Sequence, residues 1–290
     1  MEKILRERKG ETNPALLLGA LMAAAAESGR DKLTFFASRR TRALVPWVEQ
    51  LIAESTGKNG KGVIPIENEP VGPIQNYGND RVFVIMRMER EQDPITKGFR
   101  RDIKEVGIPS IEITLGSKFE LGRQFLLWEA ATAVVGQMLK VNPFDEPNVT
   151  ESKENTKLIL AGYERIGTLP DQKKTMASWG TLTLVAADDV VLSEATPQAS
   201  DMKAILNRFF KSVSDPRYLA ILNYFRCNKT SEVALEKIRN LVRNKTRMAT
   251  TRGYGPRYLH SIGQLYKGGP KNGLFLVFVR GSYRHLPIPG

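Results

Sequence analysis

Two stretches of this chain, LTFFA at Leu33–Ala37 and RVFVIMRM at Arg81–Met88, place apolar side chains at consecutive positions. A strand written that way buries both faces, and doubly buried strands belong to parallel sheets whose crossover helices lie above and below. The intervening residues agree. Asn13-Pro14 reads as a cap with proline in the first turn, opening an Ala/Leu-rich helix that ends near Gly29. Thr41–Ser55 reads as a helix with Leu44, Val48, Leu51 and Ile52 on one side. GVIPIE is a short strand, Glu67–Asp80 a loop, Thr96–Val106 a helix and IPSIEIT a further strand. This alternation predicts an α/β fold with a doubly wound, mostly parallel sheet in three layers.

Phe119–Lys140 continues as a long apolar helix, Asn142-Pro143 interrupts it, and Val149–Ile166 forms another. Gly167–Lys174 is polar, contains Pro170, and marks a boundary. Beyond it come strand TLTLVAA, a helix near Ala199–Ser212, strand YLAILNYF, a helix over Glu232–Asn244 and strand LFLVFV. The expected organisation is a flexible segment over 1–12, a main domain over 13–168 and a smaller α/β unit over 169–290.

Composition removes several function classes. The longest apolar run, Ala15–Ala26, is too short for a bilayer and lacks a signal-peptide layout, so no membrane partner is expected. The chain of 290 residues has one cysteine, Cys227, which precludes an internal disulfide and fits a reducing cytoplasm. Its two histidines and single cysteine offer no zinc spacing. No P-loop, Gly-x-Ser-x-Gly elbow or Gly-x-Gly-x-x-Gly fingerprint is present, so neither a metal nor a cofactor is expected. The net charge of +12 suits polyanions or small phosphorylated substrates equally. The basic residues are dispersed and no nucleic-acid-binding motif accompanies them, which argues against nucleic acid as the partner.

Three stretches carry chemistry. In IAESTGKNGKG, Glu54 follows Leu51 by three residues and Trp47 by seven, at the border of an apolar stripe, and a glycine-rich loop with Lys58 and Lys61 comes next. A half-desolvated carboxylate has a raised pKa and can shuttle a proton. Spacing alone favours the plainer reading, a helix C-terminal cap followed by a solvated loop. In VNPFDEPNVTESK a proline-bracketed turn can aim Glu146 and Lys153 at one point, or can simply be a charged helix corner. RGYGPRYLHSIGQLYKGGPKNG, from Arg252 to Gly273, has the glycine, proline and basic content of a ligand loop, or of a long basic loop with a structural histidine. It holds His260, a candidate acid or base, whereas His285 lies among terminal prolines and reads as incidental.

Taken together, these stretches resemble the phosphoglucose isomerase family. WVEQLIAESTGKNGKG resembles that family's Met-Glu-Ser-Asn-Gly-Lys segment, and VNPFDEPNVTESK resembles its Phe-Asp-Gln-x-Gly-Val-Glu-x-x-Lys signature at Phe144, Asp145, Val149 and Lys153. The nearer resemblance is to the isomerase part of bacterial bifunctional transaldolase/glucose-6-phosphate isomerases, through RDKLTF, IAESTGK, WEAATAVVG, NPFDEPNV, GYGPRYLHSIGQLYKGGP and LPIPG. The resemblance implies a sugar-isomerase (SIS-type) fold and glucose 6-phosphate to fructose 6-phosphate isomerisation in the cytoplasm. It implies Glu54 as base, Lys153 and His260 as further catalytic groups, and Glu146, Lys58, Arg257, Gln264 and Lys267 around a phosphosugar. Two departures stand out: Glu146 replaces a glutamine, and Tyr266 replaces a histidine of the relatives. The first SIS domain, with its Ser/Thr phosphate cradle, and the transaldolase barrel find no counterpart in these residues. The resemblance therefore implies a partner domain in cis or in trans, or a homo-oligomer. A non-catalytic phosphosugar-binding module is the alternative that Glu146 favours.

Overall fold

The computed structural model describes residues 4, 6–91, 94–169, 173–187, 202–212 and 217–280. Pro170, part of the N-terminal segment, Ala199, and the closing LPIPG with His285 lie outside these residues.

The chain opens with helix α1 (Pro14–Glu27), capped by the Asn13 side chain on the amides of Ala15 and Leu16. Then follow β1 (Lys32–Ala37), α2 (Val45–Thr56), β2 (Ile64–Ile66), β3 (Arg81–Met88), α3 (Pro94–Val106) and β4 (Ser110–Leu115). The four strands form one all-parallel sheet in the order β2-β1-β3-β4, as the consecutive apolar residues require. Leu33, Phe35, Val82, Val84 and Met86 point to one face. There they meet Leu18 and Met22 of α1, Val48 and Ile52 of α2, and Trp128, Ala131 and Val135 of α4 (Leu121–Leu139). Phe36, Phe83 and Ile85 point to the other face, against Phe99 and Ile103 of α3 and against Tyr77. Gly19 lets α1 and α4 touch: a Cβ there would stand 2.5 Å from the Ala131 carbonyl oxygen.

Helix α5 (Pro147–Ile166) follows α4 and buries none of its own residues. An antiparallel hairpin, β5 (Lys173–Trp179) and β6 (Leu182–Ala187), comes next. Lys173 and Lys174, which their polarity assigns to a connecting segment, instead belong to a strand. After α6 (Met202–Lys211) come β7 (Tyr218–Tyr224), α7 (Lys229–Thr246), β8 (Ala249–Tyr254), α8 (Gly263–Gly268) and β9 (Gly273–Val279). Strands β8-β7-β9 make a second all-parallel sheet. Tyr218, Ala220 and Leu222 pack on Ala53, Ile64, Ile66 and Leu265, while Leu219 and Ile221 pack on Leu235 and Val242 of α7.

The two sheets are joined by buried charge. The Glu69 carboxylate accepts from Arg81 Nη1 at 3.0 Å, from the Thr250 amide at 2.8 Å and from the Thr250 hydroxyl at 2.7 Å. Arg239 of α7 reaches across to donate to the carbonyls of Glu67 (2.9 Å), Asn68 (2.8 Å) and Thr250 (2.6 Å). Burial pushes the Glu69 carboxyl up, but Arg81 and Arg239, aided by the Thr250 and Arg81 hydrogen bonds, hold it below the ordinary range.

Glu69→Gln keeps the shape and leaves two buried guanidiniums unbalanced. It should lower the unfolding free energy by roughly 3–5 kcal/mol in urea titrations near neutral pH. A folded-state pKa below the unfolded one gives stability that is present above the unfolded value of about 4.3 and is lost as pH falls through the folded value. The difference between wild type and variant should therefore shrink on acidification. A pH-independent loss under about 1 kcal/mol, the scale of an exposed pair, contradicts this account.

Candidate functional site

The buried stripe of α2 runs through Val45, Val48, Glu49, Ile52, Ala53 and Thr56. Glu54 stands at its border in the last turn, half-buried, and accepts from Gln50 Nε2 at 3.3 Å. Burial is the main influence on its carboxyl and raises its pKa. The Gln50 hydrogen bond opposes the rise, the Glu146 charge adds to it, and His260 and Lys58 oppose it, with a net upward shift. Glu146 and His260, from two other stretches distant in sequence, thus both act on Glu54.

The cationic loop after Glu54 is turned inward. Buried Lys58 donates to the Asn142 carbonyl at 2.6 Å, to Asp145 Oδ1 at 2.9 Å and to the Asp145 carbonyl. An ammonium has three donors, so Lys58 is fully engaged with protein. The expectation of Lys58 as a substrate ligand is replaced by a clamp that fixes the turn ahead of α5. Its hydrogen bond is the main reason that the Asp145 carboxyl lies below the usual range. Lys61 donates to the Leu139 carbonyl at 2.9 Å, satisfying an end of α4. Both lysines of the loop therefore serve carbonyls where α4 stops.

Gln264 is likewise interior. Its Nε2 donates to the Gly57 carbonyl at 2.9 Å and to Asn148 Oδ1 at 2.8 Å, and its Oε1 accepts from the Asn148 amide at 3.2 Å. The end of α2, the start of α5 and α8 are stitched together by this one amide. Two glycines allow the approach. A Cβ at Gly57 would lie 2.4 Å from Leu265 Cα, and one at Gly268 would lie 2.2 Å from Asn148 Oδ1. The glycine-rich third stretch is accordingly not a long loop. It is strand β8, a cis Gly255–Pro256 bond, a 3-10 turn over Arg257–His260, and α8.

The remaining groups point outward. Glu146 is exposed at the N-cap of α5, and Lys153 is exposed farther along that helix with no ion pair among the described residues. Arg257 and His260 are exposed on the 3-10 turn. Arg257 acts on Glu49 rather than being one of the principal influences on Glu54. Lys267 is exposed on α8; partial burial lowers its pKa and Glu151 of α5 opposes this. Tyr266 faces the second sheet, its hydroxyl 2.7 Å from that of Thr251 and its ring 5.1 Å from Phe275.

Glu49 escaped the sequence reading. It is buried, and its carboxyl is pushed well above the ordinary range, first by burial and then by the charge and hydrogen bond of Glu67, with Arg239 and Arg257 opposing. Its signal was positional: it lies four residues after Val45, on the stripe itself, where a carboxyl is out of place. Among the described residues no cluster of three or more His, Cys, Asp or Glu side chains could hold a metal, and no helix is long and apolar enough to cross a membrane.

Lys58→Met preserves length and removes the clamp. Backbone amides around Phe144–Glu146 should then exchange faster with deuterium, and the Asp145 carboxyl should return upward toward an ordinary aspartate in a carbon-13 titration. Exchange and titration indistinguishable from wild type would show that the turn holds itself.

No family model matches the chain. The chain is similar to a glucose-6-phosphate isomerase of Leptospira biflexa, 29% identical over 157 residues, which are 41% of this chain and 35% of that protein. A glucose-6-phosphate isomerase of Parabacteroides distasonis is 26% identical over 160 residues, covering 42% of this chain and 36% of its own length. Among solved structures, a hypothetical protein from Thermus thermophilus superposes on 52% of this chain and 46% of its own with a TM-score of 0.44 and 20% identity. In the matched stretch, then, the sequence similarity is to isomerases, and the chain spans about a third of the length of the curated relatives it matches.

Proposed function

We propose that this chain carries the proton-transferring half of a glucose-6-phosphate isomerase site. The observation that supports this best is the half-buried Glu54, its pKa raised chiefly by burial and influenced by Glu146 and His260 of two other segments. In this reading Glu54 removes the proton from C2 of the open-chain aldose. The electron pair left behind forms the C1–C2 double bond while the C1 carbonyl π pair moves onto O1, which takes up a proton to give the enediol. O2 then gives up its proton, its electron pair forms the C2 carbonyl, and the C1–C2 π pair takes the proton back from Glu54 at C1. A carboxylate whose pKa is raised above the ordinary range accepts that proton more readily than an ordinary one. His260 assists ring opening and Lys153 holds the ring oxygen. Arg257 and Lys267 supply positive charge for the phosphate. Lys58 and Gln264 contribute by holding the segments in place.

The partner in this proposal is a first SIS-type domain or a second copy, which closes the site from the open side. Ile159, Tyr163 and Ile166 recur on one side of α5 and are exposed, as is Phe144 in the turn before it. An apolar helical side of this kind is consistent with a docking surface. Glu146 supports a second reading, a non-catalytic phosphosugar-binding module, because a carboxylate there repels the negative charge of an enediolate.

The test is fructose 6-phosphate formation with the first domain of a relative supplied in trans or by fusion. Glu54→Gln should lower the rate by about 10²–10⁴ while leaving the fold intact. Glu146→Gln should raise it, by removing a like charge and adding a donor beside the developing oxyanion. An active wild type with an equally active Glu54→Gln rules out the assigned base. Activity only in Glu146→Gln favours the binding module.

A further inference from the structure

In the sheet order β2-β1-β3-β4, the chain leaves β1 toward one side and returns as β3 on the other. In an open parallel sheet the crevice beyond the carboxyl ends of two such strands is where ligands bind. Here that crevice has a volume of about 610 Å³ and is lined by Arg39, Arg40, Arg90 and Glu91. This is the size of a small-metabolite site. It lies at the start of α2, whereas Glu54 lies nine residues along that helix, about 14 Å away at 1.5 Å per residue. The crevice is therefore separate from the site described above.

The turn that presents the arginines is built from buried hydroxyls. Ser38 and Thr41 are both buried. Thr41 Oγ1 lies 2.9 Å from the Met86 carbonyl and 3.1 Å from Ser38 Oγ, and Ser38 Oγ donates to Glu91 Oε2 at 2.5 Å. The backbone closes on itself through Thr41 N and Arg42 N to the Ser38 carbonyl, at 3.1 and 2.9 Å. This fixes Arg39 and Arg40 side by side at the mouth of the sheet, across from Arg90 after β3. The lining carboxylate, Glu91, is occupied by Ser38, and none of the three guanidiniums has an ion-pair partner among the described residues. Like-charged forks converging on a crevice repel one another unless an anion lies between them. Three arginines and one glutamate leave two positive charges, which match a phosphate monoester carrying roughly −1.5 to −2 near neutral pH. Guanidinium forks suit phosphate oxygens in bidentate geometry.

From this geometry we infer a second anion site, at the Arg39–Arg40–Arg90 crevice, that takes the phosphate group of a small phosphorylated metabolite. The probe is inorganic phosphate, titrated calorimetrically against sodium chloride at matched ionic strength. Wild type should bind phosphate saturably. The double variant Arg39→Gln/Arg40→Gln, and separately Arg90→Gln, should weaken binding at least tenfold. Arg247→Gln, at an exposed arginine that follows α7, should leave this binding intact. On the wild-type chain, phosphate should protect Arg39, Arg40 and Arg90 from phenylglyoxal, mapped by mass spectrometry, which answers the question even where a variant folds poorly. A response equal to that of chloride, phosphate binding whose affinity and stoichiometry are both unchanged by loss of the crevice arginines, or protection confined to Arg257 overturns the inference.

Discussion

One carboxylate, Glu69, sits where the four-stranded sheet ends and the three-stranded sheet begins, touching Arg81 of the first and Thr250 of the second. Burying charge here is costly, and the cost is met because every contact of the carboxylate is with a donor. Arg239 completes the junction by closing on three carbonyls from both sides. The position of β8 follows from this junction. The position of β8 in turn sets where the 3-10 turn and α8 lie, and so where His260 stands relative to Glu54. The placement of the candidate site thus depends on a buried charge cluster at the junction of the two sheets.

A second set of contacts refines that placement. Lys58 fixes the turn before α5 and Gln264 ties the start of α5 to the end of α2. The glycines at 57 and 268 are required by close approach, since any side chain would collide with backbone or with Asn148. A flexible cationic loop in sequence becomes a rigid corner in the fold, because its positive charges are consumed by carbonyl oxygens.

The apolar elements were legible because burial writes itself into the sequence. The double-faced strands β1 and β3, and the stripe of α2 with Glu54 at its margin, follow from residue spacing. Strand β8 was not legible: ATTRGY is polar and opens a glycine-rich run, and only its parallel pairing with β7 makes it a strand. The inward turn of Lys58 and Gln264 was hidden for a related reason. Their partners are backbone carbonyls and an asparagine far along the chain, and backbone groups leave no residue-type signal. Glu69 shows the same limit, because in a loop a buried acid looks like a solvated one until its neighbours across the sheets are known, whereas Glu49 stood out only by its place on the buried stripe.

The proposed proton transfer turns on whether Glu54 and Glu146 lie close enough to share an electrostatic environment. Site-resolved carbon-13 titration of the Glu54 carboxyl tests this directly on the chain as it stands. The carboxyl should titrate above an ordinary glutamate. It should move downward in Glu146→Gln while remaining raised, because burial is the larger cause and Glu146 the smaller. An ordinary value that ignores Glu146→Gln would mean that the two carboxylates do not meet, and the proposed site would fall with them.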